Sequence, residues 1–261
     1  MLKNRRYNYD KVAKMTKATL SVAKNIIIIC TVYSIICFYC SSPLFPPINN
    51  VIKSIIQIIT NHQFVENMAS TMKILLTGVA ISFVVGNAIA LFCQMFSCVD
   101  WIVMPVINFI KSIPSIAMFP AFVIMMGIGD SPRITVIVWN SIYAVVSTGI
   151  HSLQSTDKDT IEAAQNAGAT KWQTYIYIRM PLAIVDILYG LKISLSNGFI
   201  AVVVAEMLGA TDGIGYMIIW SANAFQYSEL YAYIIIISTI GSLLNAVLDV
   251  VIKITERKIY E

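Results

Sequence analysis

Charge is what this sequence has least of. Asp, Glu, Lys and Arg make up 12% of its 261 residues, against about 25% in a typical soluble domain. Hydrophobic residues reach 57% and the mean hydropathy is +0.74. Several apolar runs approach the ~20 helical residues needed to cross a hydrocarbon core. A soluble reading is excluded, and the chain is a polytopic membrane protein.

Other scarcities narrow the chemistry. The two histidines, His62 and His151, stand alone, and no metal-ligand spacing occurs. Of the five cysteines (Cys30, Cys37, Cys40, Cys93, Cys98), Cys37 and Cys40 form a C-x-x-C. Inside an apolar helix this spacing places two small side chains on one face, which favours packing over redox chemistry. No G-x-x-x-x-G-K-[ST] is present, so the chain has no phosphate-binding loop of the Walker A type. Glu206, His151 and the cysteines are scattered over different segments, so no nucleophile–base pair can be nominated and no catalytic residue is expected. No cofactor is expected on this chain. The net charge of +4 is spread too thinly for a nucleic-acid surface.

What the chain does have is a series of apolar segments. Residues 1–24 form a basic tail with seven Lys/Arg and one acid, Asp10. The run from Asn25 to Cys40 reads as an uncleaved first helix, because bulky Phe38 and Tyr39 occupy the places where signal peptidase needs small residues. Pro43, Pro46 and Pro47 end it. Residues 48–67 space isoleucines helically among Lys53, Gln57 and Asn61, which predicts an amphipathic surface helix.

The second crossing is placed at about Ile74 to Phe96, with Gly78, Ser82, Gly86 and Ala90 in a strip of small residues. Such strips let helices pack closely in lipid, here within one subunit. Pro105, Pro114 and Pro120 should segment the next stretch. The third crossing is placed at about Ile113 to Ile128, after a portion lying along the interface, with an outer turn at Gly127–Asp130. The fourth runs from about Ile134 to Leu153. The fifth, about Leu182 to Ala205, carries a second small-residue strip of Gly190, Ser194 and Gly198. Residues 206–230 read as an outer segment dipping into the interface, and the sixth crossing is about Tyr231 to Ile252. This divides the chain into a tail (1–24), a first helix with its amphipathic segment (25–65), a core (66–252) and a short basic end (253–261).

Six crossings with the N-terminus inside place both termini and the polar loop 154–181 in the cytoplasm. Fourteen of the eighteen Lys/Arg then fall on cytoplasmic segments, as the positive-inside rule requires. Asp159 and Glu162 suit the start of a short helix in that loop. Ile161, Ala164 and Gly168 would share a low-relief side, Gly168-Ala169-Thr170 offers a bend, and Lys171 to Ile178 can form a second short helix. Pro181 fits the first turn of the next crossing.

The loop also carries a spaced pattern: Glu162-Ala163-Ala164, three residues, Gly168, nine residues, Ile178, one residue, then Met180-Pro181. It resembles the E-A-A-x3-G-x9-I-x-L-P coupling loop of ATP-binding-cassette (ABC) importer permeases, with Met180 at the leucine position. Ile113-Pro114-Ser115-Ile116-Ala117 with Pro120 and Gly127-Ile128-Gly129 is similar to a stretch of the branch that imports nitrate, sulfonates, taurine and thiamine-precursor pyrimidines. So is Val203 to Ala210 followed by Gly213-Ile214-Gly215-Tyr216. The resemblance spans roughly Glu66 to Ile252.

It implies an all-α type I importer fold of about six transmembrane helices in the bacterial cytoplasmic membrane. It implies a second permease copy, cytoplasmic ATPase subunits that use ATP-Mg, and an extracytoplasmic substrate-binding protein. Glu162, Ala163, Ala164, Gly168, Ile178 and Pro181 would carry the ATPase coupling. Asn87, Asn140, Lys192 and Asn197, polar groups inside crossings, are candidates to line the substrate path. Interhelical hydrogen bonding is their other reading. The alternative class, an ion-gradient-driven secondary transporter, would need deep ionisable groups. Its candidates are Asp186, Lys192, Glu206 and Asp249, of which Asp249 has a plausible partner in Lys253, one helical turn on.

Overall fold

Small residues fix how the long helices of this chain meet. The computed structural model describes residues 42–95, 100–154 and 158–260, all of whose regular structure is helical. The expected first crossing, the N-terminal tail and the Cys37/Cys40 pair lie outside the described residues. Helix α1 is Ile48–Thr60 and α2 is His62–Met95. Next come α3 (Asp100–Ser112), α4 (Ser115–Met126) and α5 (Asp130–Gln154). A short helix, α6, covers Lys158–Asn166. The chain is then helical from Lys171–Thr174 (α7) through a π-helical stretch, Tyr175–Arg179, into α8, Met180–Gly209. Helices α9 (Ile214–Asn223) and α10 (Tyr227–Tyr260) complete it.

Helices α2, α5, the α7–α8 rod and α10 are each long and apolar enough to span a membrane, and the sharply bent α3–α4 pair is apolar enough for a broken span or a re-entrant loop. The bend is 94°, centred on Ile113-Pro114. A residue before proline is pushed out of the helical region, so the break falls there. Contrary to expectation, Pro105 and Pro120 sit inside α3 and α4 without segmenting them. Each stands sixth in its helix and removes one backbone hydrogen bond there, and both helices continue through it.

Both small-residue strips are buried against α5. A side chain at Gly78 would put its Cβ 2.6 Å from Ile137 Cγ2, and one at Gly86 would come 2.8 Å from Val145 Cβ. Gly149 of α5 returns the arrangement, its Cα facing Ala90. On α8, Gly190 meets Thr148, while Gly198 lies against Val79 and Ile137. Ser82 and Ser194 between them are fully buried. Helices α2 and α8 thus clasp α5 at backbone distance, and the packing is within one subunit.

Several boundaries differ from the sequence expectation. The amphipathic segment does not run to residue 67: Asn61 is extended, and residues 62–67 open α2. Val51 and Ile58 of α1 pack with Ile214, Ile218 and Tyr233, whereas Ile52, Ile56 and Ile59 are exposed. At 34 residues, α2 and α10 would each extend ~50 Å, well beyond a ~30 Å hydrocarbon core. The fifth crossing is continuous with the short helix expected before it. Pro181 has no N–H and would crowd the carbonyl of Tyr177, and the wider π turn just before it accommodates that loss.

Candidate coupling loop and the polar clusters of the spans

The polar loop is built by local rules. Its first helix, α6, is already under way at Lys158, so Asp159 lies in the first turn and supports the dipole instead of capping it. The helix ends in a Schellman motif. Gly168 N–H donates to Gln165 O (2.9 Å) and Ala169 N–H to Ala164 O (3.0 Å). Gly168 adopts φ +91°, a region that L side chains enter only with strain. A Cβ there would meet nothing within 4 Å. The glycine is required by the backbone turn, and not by crowding.

The next turn begins with a capping box that the sequence reading missed, though T-x-x-Q is legible at 170–173. Thr170 N–H donates to Gln173 Oε1 (2.8 Å), and Gln173 N–H donates back to Thr170 Oγ1 (3.2 Å). Trp172 stacks on Tyr175 at 6.1 Å between ring centroids. Glu162, Ala163 and Gly168 are exposed, Ala164 and Ile178 are half-buried, and Pro181 is exposed. Ile161 faces inward, lining a cavity of about 410 Å³ with Gln94, Trp172 and Arg179. The expected low-relief side of Ile161, Ala164 and Gly168 is therefore divided: Ile161 turns beneath the loop, Ala164 is half-buried and Gly168 faces outward.

The polar candidates inside the spans are engaged within the subunit. Asn140 donates to Asn197 O (2.8 Å), and Asn197 donates to Tyr143 Oη (3.0 Å), tying α5 to α8. Lys111 lies 5.0 Å from the centroid of the Tyr143 ring. Asn87 stands apart and donates to Phe83 O one turn back. Lys192 pairs with Asp249 at 2.5 Å, which corrects the expected Asp249–Lys253 pairing. The pair links α8 to α10, and Ser196–Asn245 adds a second link one turn away.

A further cluster, at the end of the bundle opposite the polar loop, was not foreseen as a group. Glu206 is fully buried, and its Oε2 accepts from Thr71 Oγ1 (3.0 Å) and Gly215 N–H (2.8 Å). Thr71 Oγ1 in turn accepts Ile214 N–H, and Asn67 Oδ1 accepts Gly213 N–H. Helix α9 has Gly213 at its N-cap and no capping side chain of its own. Residues of α2 and α8 supply the caps instead. Alongside, buried Arg133 bridges Asp130 (2.6 Å) and Asp212 (3.0 Å), Lys73 reaches Asp130, and Ser70 donates to Asp212. Partial burial opposes ionisation of Asp212, but the Ser70 hydrogen bond and the Arg133 guanidinium outweigh it and hold its carboxyl below the usual aspartate range. The partners of Asp212 lie 79 residues (Arg133) and 142 residues (Ser70) away in sequence, so no local spacing announces them.

Residues 78–260 match the family described as binding-protein-dependent transport system inner membrane component. The chain belongs to this family. It is a permease subunit of an ABC importer, a multi-pass protein of the cytoplasmic membrane, and that membership sets aside the ion-gradient alternative. The permease is 26% identical to the taurine transport system permease protein TauC of Escherichia coli K12, over 88% of this chain and 86% of TauC. It is 29% identical to the formylaminopyrimidine transport permease protein ThiX of Halalkalibacterium halodurans, over 69% and 72% of the two chains. Its fold is that of type I importer permeases. The inward-facing MetNI methionine transporter aligns with a TM-score of 0.65 at 17% identity, over 72% of this chain and 94% of that one. A bacterial alginate ABC transporter, solved with its periplasmic protein, aligns at 0.59 and 14% identity, over 91% and 94%.

Proposed function

We propose that residues 154–181 seat a cytoplasmic ATPase and pass its motion to the spans, with Glu162, Ala163, Ala164, Gly168, Ile178 and Pro181 as the coupling residues. Both termini lie on the same, cytoplasmic side. The observation that carries this is the stiffness of an exposed part. Helix α6 presents Glu162 and Ala163 outward, is closed by the Schellman turn, and is bracketed by the capping box to a helical rod that continues to Gly209. A shallow helix held on such a bracket can sit in a groove of another protein and move with it.

Two permease copies form the translocation path, and an extracytoplasmic binding protein delivers a small polar or anionic solute (a sulfonate, nitrate, taurine or a pyrimidine-like compound). The names of TauC and ThiX support that range. Asn140, Lys192 and Asn197 already bond between helices, which favours structural roles over solute contact, whereas Asn87 bonds within its own helix and stays a candidate for the path.

The test is substitution at Gly168, where the Cβ has free space and only the backbone and the outer surface are perturbed. Gly168→Ala adds strain of about 1–2 kcal/mol to the turn and should weaken ATPase co-purification. Gly168→Trp adds bulk at the seat and should abolish it, while membrane insertion stays intact. Normal co-purification of the ATPase with Gly168→Trp defeats the reading.

A further inference from the structure

A second cavity of about 410 Å³ lies at the end of the permease opposite the polar loop, at the corner where α1, α9 and the start of α10 meet. Its volume falls in the range of small-molecule sites, roughly 300–1,000 Å³. The described residues that line it include no lysine, arginine or histidine, one carboxylate (Glu229) and three aromatic rings (Tyr216, Trp220 and Tyr233). The rest of its polar wall is carboxamide, Gln57 and Gln226 among them.

Glu229 has no ion-pair or side-chain hydrogen-bond partner among the described residues, although every other acid at this end on α5 or in the 210–213 turn has a cation. Tyr233 stands one turn further along the same helix face, and Tyr216 and Trp220 are one turn apart on α9. Trp220 is 44% exposed, open to an incoming group. A carboxylate and aromatic rings lining one cavity, with carboxamides beside them and no cation among the described lining residues, are complementary to a small organic cation. The rings attract the charge through their quadrupoles, and the carboxylate neutralises it.

We propose that this cavity binds an ammonium group, primary or quaternary, held between Glu229 and the rings of Tyr216, Trp220 and Tyr233. The group can belong to a free amine or to a zwitterionic lipid headgroup.

The full-length permease, purified in detergent, is titrated calorimetrically with choline and with ethanolamine. The phosphatidylethanolamine and phosphatidylglycerol that co-purify with it are quantified by mass spectrometry. Saturable binding of either amine, weakened about tenfold by Glu229→Gln and by Trp220→Leu but not by Glu66→Gln, supports a free-amine site. If neither amine binds but phosphatidylethanolamine is enriched over phosphatidylglycerol, and Glu229→Gln removes that enrichment, the occupant is a headgroup. Glu229→Gln keeps the side-chain shape in a first helical turn, and Trp220→Leu reports separately should it fail to fold. Absence of both signals overturns the proposal, as does either signal persisting undiminished in both variants.

Discussion

Replacing Thr71 with valine tests whether α9 is held by caps supplied from other helices. Thr71 is fully buried, and valine keeps its shape while deleting the hydroxyl. Two interactions go at once. The N–H of Ile214, itself fully buried, loses its acceptor at 2.9 Å, and Glu206 loses a donor at 3.0 Å. An orphaned buried donor costs about 1–3 kcal/mol, and a typical hydrogen bond contributes about 0.5–1.5 kcal/mol. The hydroxyl has one proton, shared between Glu206 and Asn67 O at 3.1 Å, so the two losses do not add in full. A net cost of about 2–3 kcal/mol is expected.

That cost should appear locally, because the affected groups sit at the first turn of one short helix. Hydrogen exchange followed by mass spectrometry, on the permease in lipid nanodiscs, should show the amides of 213–216 exchanging about 30- to 150-fold faster. Exchange in the α5 helix should be unchanged. The double variant Thr71→Val/Glu206→Ala should cost clearly less than the sum of the singles, since both residues serve the same helix start. Unchanged exchange at 213–216, or additivity of the two variants, refutes the capping account.

Three other outcomes follow from the same geometry. Gly78→Ala places a Cβ against Ile137 Cγ2 and should destabilise the subunit by about 1–3 kcal/mol, and Gly78→Ala/Ile137→Ala, which removes that γ carbon, should cost less than the sum of its two singles in a thermal unfolding series. Lys192→Met should lower the unfolding midpoint more than Lys192→Met/Asp249→Leu does, because the single change strands a carboxylate between helices and the double one leaves none. Asp212 titrates below its unfolded value, so its contribution is complete above the ordinary aspartate range and is lost as pH falls through its lowered folded value. Proteolysis of the 210–213 turn should therefore rise on acidification in the native chain, and Asp212→Asn should show high, pH-independent cleavage.

The features legible in the sequence are those set by spacing along one helix or by a local turn. Gly78, Ser82, Gly86 and Ala90 recur at a helical period, so their shared face was readable, and it is the face that meets α5. Gly168 was readable as a bend because a helix that ends in a Schellman turn needs positive φ at that place. Ranges failed where breakers were weighed alone. Pro105 and Pro120 looked equivalent to Pro114, yet only Pro114 coincides with a break. Pairing across helices was not readable at all. Asp249 has Lys253 one turn away, but its cation is Lys192, 57 residues distant, because the close packing of α8 on α10 brings them together. Glu206 looked like an acid near a helix end, when it is the buried anchor of the following helix.

The two ends of the permease differ in how much of their polar surface is already bound. At the end beyond Gly209, Arg133, Asp130, Asp212, Ser70, Thr71 and Glu206 are joined across α2, α5, α8 and the 210–213 turn. At the other end, α6 and its closing turn offer Glu162, Ala163, Asn166 and Gly168 to solvent. The rod from Trp172 to Gly209 joins the two, 38 residues and ~57 Å of continuous helix. Its glycine face is interlocked with α5 at Gly190 and Gly198, so it cannot slide along α5 without opening voids or overlaps. If the loop couples as proposed, a push on α6 would move α5 and the rod together, and the far cluster with them. The proposed coupling loop needs no flexible relay, because the packing that builds the subunit already makes a lever of it.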